Sequence, residues 1–73
     1  MTGPVLELDC RGMLCPLPVI MLAKRFGELG VGETVVVLAD DPAAAVDIPA
    51  WCRMRAQELV RADGERYEIR RLT

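Results

Sequence analysis

Thr34-Val35-Val36-Val37-Leu38-Ala39 is the stretch that decides the fold, because it is an unbroken apolar run rich in β-branched residues. Such a run is typical of a central strand that is covered on both faces. The chain has 73 residues, so we expect one domain over residues 1–73 with this strand in the middle of its sheet. Any side chain of the strand that points away from the helices would need cover, which weakly favours a partner surface there.

An amphipathic helix is predicted upstream of this strand, after a short strand at residues 5–8 that runs into Asp9. Pro16 and Pro18 suit the first turn of a helix, where a missing N–H is not needed. Gly30 and Gly32 are expected to end it. The apolar face follows helical spacing and is formed by Val19, Leu22, Ala23 and Phe26, widened by Ile20 and Met21.

A second helix is predicted downstream, over residues 43–57, with Asp41 as its cap and Pro42 in its first position. Pro49 removes one helical hydrogen bond and clashes with the preceding turn. We therefore expect a break, in which case Asp47 caps the helix proper, or else a kink. The residues expected near one face are Ala45, Ile48 and Cys52.

The last two strands are predicted at residues 58–62 and 66–72, joined by a hairpin turn at Asp63-Gly64. The order is therefore β-α-β-α-β-β, and the first two strands must be parallel with a right-handed crossover. We expect an α/β fold of the α+β type. It is a two-layer α/β sandwich with a four-stranded mixed sheet and two helices on one face.

Composition excludes several classes of protein. The net charge is -2, with 9 basic and 11 acidic residues, which argues against direct nucleic-acid binding. No run of 18 apolar residues is present, and residues 1–4 do not resemble a signal peptide, so we expect a cytoplasmic protein with no membrane partner. Six arginines are expected to form solvated faces or, alternatively, a docking patch for an acidic partner or tRNA: Arg53, Arg55, Arg61, Arg66, Arg70 and Arg71.

Three cysteines and no histidine restrict the chemistry. The odd count and the lack of an export signal argue against a disulfide framework. Without histidine there is no cysteine–histidine catalytic pair and no mixed zinc site. A site built on all three cysteines would need a carboxylate as its fourth ligand, so we expect neither a metal nor a cofactor.

Cys15 is the candidate chemical centre. A helix N-terminus lowers the pKa of a cysteine, and Leu17, Val19 and Ile20 are the expected free N–H donors there. Arg11 adds a positive charge that either steadies a thiolate or pairs with a neighbouring acid. No base or oxyanion partner is evident, which suits a carrier better than a hydrolase. The alternative is a small buried residue, and these residues alone leave the two interpretations about even.

Several neighbours have two interpretations. Cys10 is either a resolving thiol for Cys15 or, more simply, a packing residue at a strand end. Asp40 and Asp41 either contact a partner and tune Cys15 or cap the second helix. Cys52 is expected in the core. An apolar collar around the thiol would suit docking onto a partner and consists of Met13, Leu14 and Leu17.

The pattern Asp9-x-Arg11-Gly12-x-x-Cys15-Pro16-x-Pro18 resembles the signature of the TusA/SirA-like family of sulfur-carrier proteins. Further blocks resemble the same family in the same order. They are Gly32-Glu33, Asp40-Asp41-Pro42-Ala43, Asp47-Ile48-Pro49, Trp51-Cys52, Glu58-Leu59-Val60 and Tyr67-x-Ile69-Arg70.

The resemblance implies that Cys15 carries sulfur as a persulfide. The protein would then be a sulfurtransferase-type carrier and not a stand-alone enzyme. The sulfur would come from a donor such as a cysteine desulfurase and pass to a downstream acceptor protein, in tRNA thiolation, molybdenum cofactor synthesis or sulfur-compound metabolism. A monomer with transient hetero-complexes is expected. The auxiliary residues expected beside Cys15 are Arg11, Pro16, Pro18, Asp40 and Asp41.

Two departures from the family pattern are present, of which the one at Leu14 and Leu17 bears on the partner and the one at Gln57 matters little for a mechanism centred on Cys15. Leu14 and Leu17 stand where the tRNA-thiolation branch carries Arg and Glu, and Gln57 stands where members often carry histidine. The rival hypotheses are a thiol-redox or regulatory module that cycles Cys15 with Cys10, and a binding module whose cysteine is incidental.

Overall fold

The computed structural model describes residues 3–73 and contains the predicted order of elements. Residues 1 and 2, on which part of the export-signal argument rests, lie outside the described residues. The elements are β1 (Leu6–Asp9), α1 (Leu17–Arg25), a 3₁₀ turn (Phe26–Glu28), β2 (Thr34–Leu38), α2 (Ala44–Met54), β3 (Glu58–Asp63) and β4 (Arg66–Arg70).

The four strands form one mixed sheet in the order β1-β2-β4-β3. β1 pairs with β2 in parallel, and β4 pairs antiparallel with both β2 and β3. The apolar run therefore occupies an inner strand, as predicted. The α+β architecture with two helices and a four-stranded mixed sheet is confirmed.

The core lies between the helices and one face of the sheet. From the sheet it receives Leu8, Val35, Val37, Tyr67 and Ile69, and from the helical segments Leu22, Phe26, Ile48, Trp51 and Cys52. The rings of Phe26 and Trp51 meet edge to face with their centroids 5.0 Å apart, which joins the end of α1 to α2. Leu22 and Phe26 are buried and Val19 and Ala23 pack against the core, so the predicted face of α1 is confirmed, but Ile20 is exposed.

On the other face of the sheet, the apolar side chain at the centre is covered by neighbouring residues of the same chain. Val36 is only 2% exposed, and the strand register places Glu7 and Glu68 on either side of it. Long charged side chains cover apolar surface with their aliphatic stems while their charged ends stay in water. Val36 is thus covered within the chain, and the partner surface expected on this face of the strand is not supported.

α2 runs without interruption through Pro49, so the predicted break at this residue is wrong. Proline keeps a helical φ, and the only bond it removes is the one to the carbonyl of Ala45. Ala45 lies on the exposed side of α2, where water can satisfy that carbonyl. Ile48 and Cys52 are both buried, and they share one face only if helical phase continues across Pro49. Ala45, which was expected on the buried face, is therefore exposed, and its neighbour Ala44 is buried instead.

α1 also ends earlier than predicted. The helix stops at Arg25 and tightens into the 3₁₀ turn at Phe26–Glu28, before either of the glycines expected to end it. Tightening of a last turn in this way is common, and sequence signals locate helix ends poorly.

Replacing Ile48 with Ala tests the packing of α2 on the sheet. The side chain is fully buried, so we expect a loss of about 2–5 kcal/mol in the free energy of unfolding, measured by urea denaturation. Val46→Ala, on the exposed side of the same helix, should change it by less than about 0.5 kcal/mol. Equal losses in the two variants would contradict this packing of α2.

Candidate functional site

Two loops meet at one edge of the sheet and hold Cys15 between them. β1 and β2 are parallel neighbours, so the loop that follows β1 and the loop that follows β2 leave the sheet at the same edge. The first loop carries Cys15 into α1, and the second leads through residues 40–43 into α2. The two helices therefore begin side by side, with Cys15 at the start of one and Asp41 at the start of the other.

Asp41 connects the two loops through both of its carboxylate oxygens. Oδ2 accepts a hydrogen bond from the backbone N–H of Cys15 at 2.9 Å, and Oδ1 accepts one from the N–H of Ala43, also at 2.9 Å. The two roles considered for this residue, capping and contact with the cysteine loop, are thus performed together. The cap acts on the turn before the helix, since α2 itself begins at Ala44.

Asp40 adds a parallel contact between the same loops. Its Oδ1 accepts a hydrogen bond from the N–H of Gly12 at 2.9 Å. Gly12 has a φ of +84°, in the left-handed region that glycine adopts without strain, and this turn lets its N–H reach Asp40. The first loop is therefore held at Gly12 and again at Cys15.

The hydrogen bonds from Ala43 and Cys15 lower the pKa of Asp41 below its usual value of 3.8. A carboxylate with a lowered pKa in the folded state stabilises the fold fully above its ordinary pKa. That contribution is lost as the pH falls through the lowered value. The bonds from Asp41 to both loops are therefore intact throughout the neutral range.

Arg11 pairs with Asp9 and not with the thiol. Its Nη2 and Nε lie 2.8 Å and 2.9 Å from the two carboxylate oxygens of Asp9. This bidentate pair holds the pKa of Asp9 at about 2. Of the two interpretations of Arg11, the structure supports pairing with the neighbouring acid.

The Cys15 thiol is not activated as the sequence predicted. Its pKa is raised by partial burial, by a hydrogen bond to the Asp47 carboxylate, and by the negative charges of Asp47 and Asp41. Two of the three N–H donors expected to favour a thiolate are already bonded within the chain: Leu17 donates to the carbonyl of Leu14 and Ile20 to that of Pro16. The resting group is therefore a neutral thiol.

Asp47 is a site residue that sequence reasoning missed as a neighbour of Cys15. It was expected to cap a helix after a break at Pro49, but the continuous α2 places it in the first turns, beside the thiol. One signal was present. Asp47 lies one helical turn beyond Ala43, and so shares the face of α2 that begins at the cysteine loop.

Tyr67 is a second residue near the thiol that the sequence did not indicate. It is buried on β4, and its pKa is raised by burial, by the Cys15 thiolate that forms only at the high pH where Tyr67 titrates, and by the charge of Glu65. β4 runs antiparallel to β2, so its first residues return to the edge where the cysteine loop lies. The hairpin is thus the third segment that reaches the site.

The two prolines of the motif differ in their surroundings. Pro18 is buried in the first turn of α1, whereas Pro16 is exposed and follows a cis peptide bond from Cys15. The apolar collar is only partly as predicted. Leu14 is 73% and Leu17 49% exposed, but Met13 packs against the core.

The other two cysteines are buried in the core. Cys10 is fully buried and its pKa is raised by burial and by Asp9; burial likewise raises the pKa of Cys52 to about 11. All three cysteines are free thiols. Cys15 is thus the only one of the three with partial exposure, and the burial of Cys10 supports its interpretation as a packing residue.

Residues 3–73 contain no cluster of three or more cysteine or acidic side chains placed to hold a metal ion. Over the same residues, every helix is too short or too polar to cross a membrane.

Comparison with known proteins identifies the family of this arrangement. Residues 6–70 match the sequence profile of a family described as Sulfurtransferase TusA. The fold is similar to the crystal structure of a SirA-like protein from Desulfitobacterium hafniense, with a TM-score of 0.68 and 28% sequence identity. That likeness covers 89% of this chain and 92% of the other. The matched residues include both loops at the site and all four strands.

Replacing Asp47 with Asn tests the environment of the thiol. Removing the charge should lower the pKa of Cys15, because that carboxylate contributes to raising it. The pH profile of alkylation by iodoacetamide should move to lower pH, and the rate at neutral pH should rise about threefold or more.

Glu65→Gln is the matched control for this experiment, since Glu65 is an acid at the same edge whose charge acts on Tyr67 and Arg11. Its alkylation profile should stay close to that of the unaltered protein. An Asp47→Asn profile that stays in place or moves to higher pH would show that Asp47 does not hold the thiol in its neutral form.

Proposed function

This chain belongs to the sulfurtransferase TusA family, and from that premise we propose that it carries sulfur as a persulfide on Cys15. The observation that carries the proposal is the selective presentation of this thiol. Two loops and their aspartates hold Cys15 at the edge of the sheet, partly exposed, while Cys10 and Cys52 are buried.

The transfer is an exchange between sulfur atoms with no net oxidation. Cys15 loses its proton, and its thiolate attacks the outer sulfur of a persulfide on the donor. The sulfur–sulfur bond of the donor breaks, the donor thiolate leaves and is protonated, and Cys15 then holds the outer sulfur. An acceptor thiolate later attacks that sulfur and restores the Cys15 thiol.

The raised pKa of Cys15 makes docking part of this mechanism. Burial, Asp47 and Asp41 disfavour the thiolate in the free protein, so little of the nucleophile is present at neutral pH. A partner that brings positive charge to this edge would favour the thiolate. The free carrier is therefore slow to react with other electrophiles.

The exposed leucines are the proposed docking contacts. Leu14 and Leu17 flank the thiol and are accessible to a partner, and apolar side chains that become buried on docking carry much of the binding energy of an interface. The donor is a cysteine desulfurase or another persulfide protein, and the acceptor is a protein of tRNA thiolation, molybdenum cofactor synthesis or sulfur-compound metabolism. We propose a cytoplasmic monomer that forms transient complexes with both.

The redox alternative requires Cys10 to reach Cys15. Cys10 is fully buried at the end of β1, where its N–H donates to the Leu38 carbonyl of the central strand at 2.7 Å, so its thiol is not open to a partner or a reductant. This arrangement supports the carrier over the redox module.

Incubation with a cysteine desulfurase and cysteine tests the carrier function directly. We expect the intact mass to increase by one sulfur atom, reversibly with a reductant. Cys15→Ser should lose this increase, whereas Cys10→Ser and Cys52→Ser should keep it. Failure to gain sulfur both from a desulfurase and from a rhodanese with thiosulfate would refute the proposal, and loss of two hydrogens across Cys10 and Cys15 would favour the redox module.

Replacing Leu14 with Ser separates docking from thiol chemistry. Loading from a desulfurase should slow about tenfold, because an apolar contact of the interface is removed, while loading from inorganic polysulfide should not change. Met54→Ser is the control, since Met54 is 81% exposed at the other end of α2. An equal effect on both sulfur sources would mean that Leu14 acts on the thiol and not on the partner.

A further inference from the structure

Tyr67 is a buried residue whose hydroxyl group has no partner in the chain. The residue is only 4% exposed, and the hydroxyl of a buried tyrosine usually forms a hydrogen bond. The side-chain hydrogen bonds within residues 3–73 do not include this hydroxyl. Every fully buried side-chain nitrogen or oxygen atom of these residues has a partner, so the hydroxyl must reach the molecular surface. Tyr67 therefore presents a free donor at the end of a buried ring.

The ring of Tyr67 lies at the edge of the sheet that carries Cys15. Tyr67 pairs with Val37, the residue before the end of β2, and the loops of the site leave the sheet at that end. Side chains alternate along a strand, and Tyr67 is a buried member of β4 that faces the helices. Cys15 packs against the same core cluster. The ring and the thiol are therefore on one side of the sheet and at one edge.

The hydroxyl is near the thiol without being bonded to it. At the high pH where Cys15 ionises, its charge raises the pKa of Tyr67 more than the charge of Glu65 does, although Glu65 is only two residues away from Tyr67. In the unloaded protein the hydrogen bond of the thiol goes to Asp47, and Tyr67 takes no part in it. The hydroxyl is thus free to bond to a group that is added to Cys15.

A sulfur atom added to Cys15 has different electrostatic needs from the thiol. It lies about 2 Å beyond the Sγ atom. A persulfide is a stronger acid than the corresponding thiol, so the carried sulfur becomes an anion where the free thiol is still neutral. Asp47 and Asp41 disfavour an anion at this position. A hydrogen-bond donor beside the outer sulfur offsets their effect.

Most donors at this edge are already used within the chain. The guanidinium of Arg11 is paired with an aspartate. The backbone N–H groups that donate to aspartates or to carbonyls are those of Gly12, Cys15, Leu17 and Ile20. Within residues 3–73, two donors near the thiol have no such partner, the N–H of Val19 and the hydroxyl of Tyr67. Of these two, only the hydroxyl can be removed without altering the backbone.

We propose that Tyr67 holds the sulfur carried by Cys15, with its hydroxyl donating a hydrogen bond to the outer sulfur atom of the persulfide. This inference rests on the carrier function proposed above. The bond forms when Cys15 is loaded and breaks when the sulfur passes to an acceptor. Hydrogen bonds to an ionised acceptor are stronger than those between neutral groups, so Tyr67 stabilises the loaded carrier selectively.

Tyr67→Phe tests this contact, because it removes the hydroxyl and keeps the buried ring. Both proteins would be loaded with inorganic polysulfide, and the added sulfur confirmed by intact mass. The pH profile for alkylation of the persulfide by iodoacetamide should move to higher pH by about one pH unit in the variant, since a hydrogen bond to the anion is lost. The profile of the unloaded Cys15 thiol should stay in place, whereas a general loss of packing would disturb both profiles.

Thr34→Val is the matched control for the loss of a hydroxyl. Thr34 is 6% exposed and begins β2, at the end of the sheet away from Cys15. The persulfide of this variant should be alkylated with the same pH profile as that of the unaltered protein.

Tyr67 is the only tyrosine in the chain, so its hydroxyl can be observed directly. Tyrosine labelled with ¹³C at the ring carbon that bears the hydroxyl should give one NMR signal. That signal should shift when the protein is loaded with polysulfide and return when a reductant is added. In Cys15→Ser it should not respond.

Three results would overturn the proposal. These are an unchanged persulfide profile in Tyr67→Phe, equal movement of the loaded and unloaded profiles in that variant, and a tyrosine signal that does not respond to loading. Because polysulfide supplies the sulfur chemically, these results concern Tyr67 alone and leave transfer from a donor protein untouched. Failure of Cys15 to take up sulfur even from polysulfide would instead refute the carrier function, and this contact with it.

Discussion

The carboxylate of Asp41 is the contact on which the site depends. One oxygen holds the backbone of the cysteine loop at Cys15, and the other holds the turn that leads into α2. The contact is possible because β1 and β2 are parallel neighbours, so the two loops leave the sheet at one edge. Asp40 repeats the connection at Gly12. The position of the thiol is therefore set by a segment that lies 26 residues further along the chain.

Asp41, which positions Cys15, also helps to keep its thiol neutral, together with burial and the carboxylate of Asp47. A carboxylate that accepts a backbone N–H stays ionised, and an ionised carboxylate near a thiol disfavours the thiolate. Asp41 contributes to both effects, and Asp47 adds the larger part of the second. In the proposed function, Cys15 is therefore already in position for sulfur transfer, while its thiol stays neutral in the free protein. The charge that activates it has to come from the partner.

Much of the fold follows from local sequence patterns. The apolar run of β2, the helical spacing of Leu22 and Phe26, and the hairpin turn at Asp63-Gly64 each report a local preference, so the order of elements and the parallel first pair were predictable. The break at Pro49 was predicted wrongly because the prediction weighed only the local effect of proline, the loss of one helical hydrogen bond. In the folded chain, burial of α2 on both sides of that residue outweighs the missing bond.

The sequence by itself determined the class of fold and the family, and it made Cys15 the candidate site, because the motif around this cysteine lies within a few consecutive residues. Only the tertiary structure decided the electrostatics of the thiol and its neighbours. Asp47 and Tyr67 reach Cys15 across the helix pair and the sheet. A pKa depends on the distances to all nearby charges and on burial, and these distances are set only when elements far apart in the chain pack together.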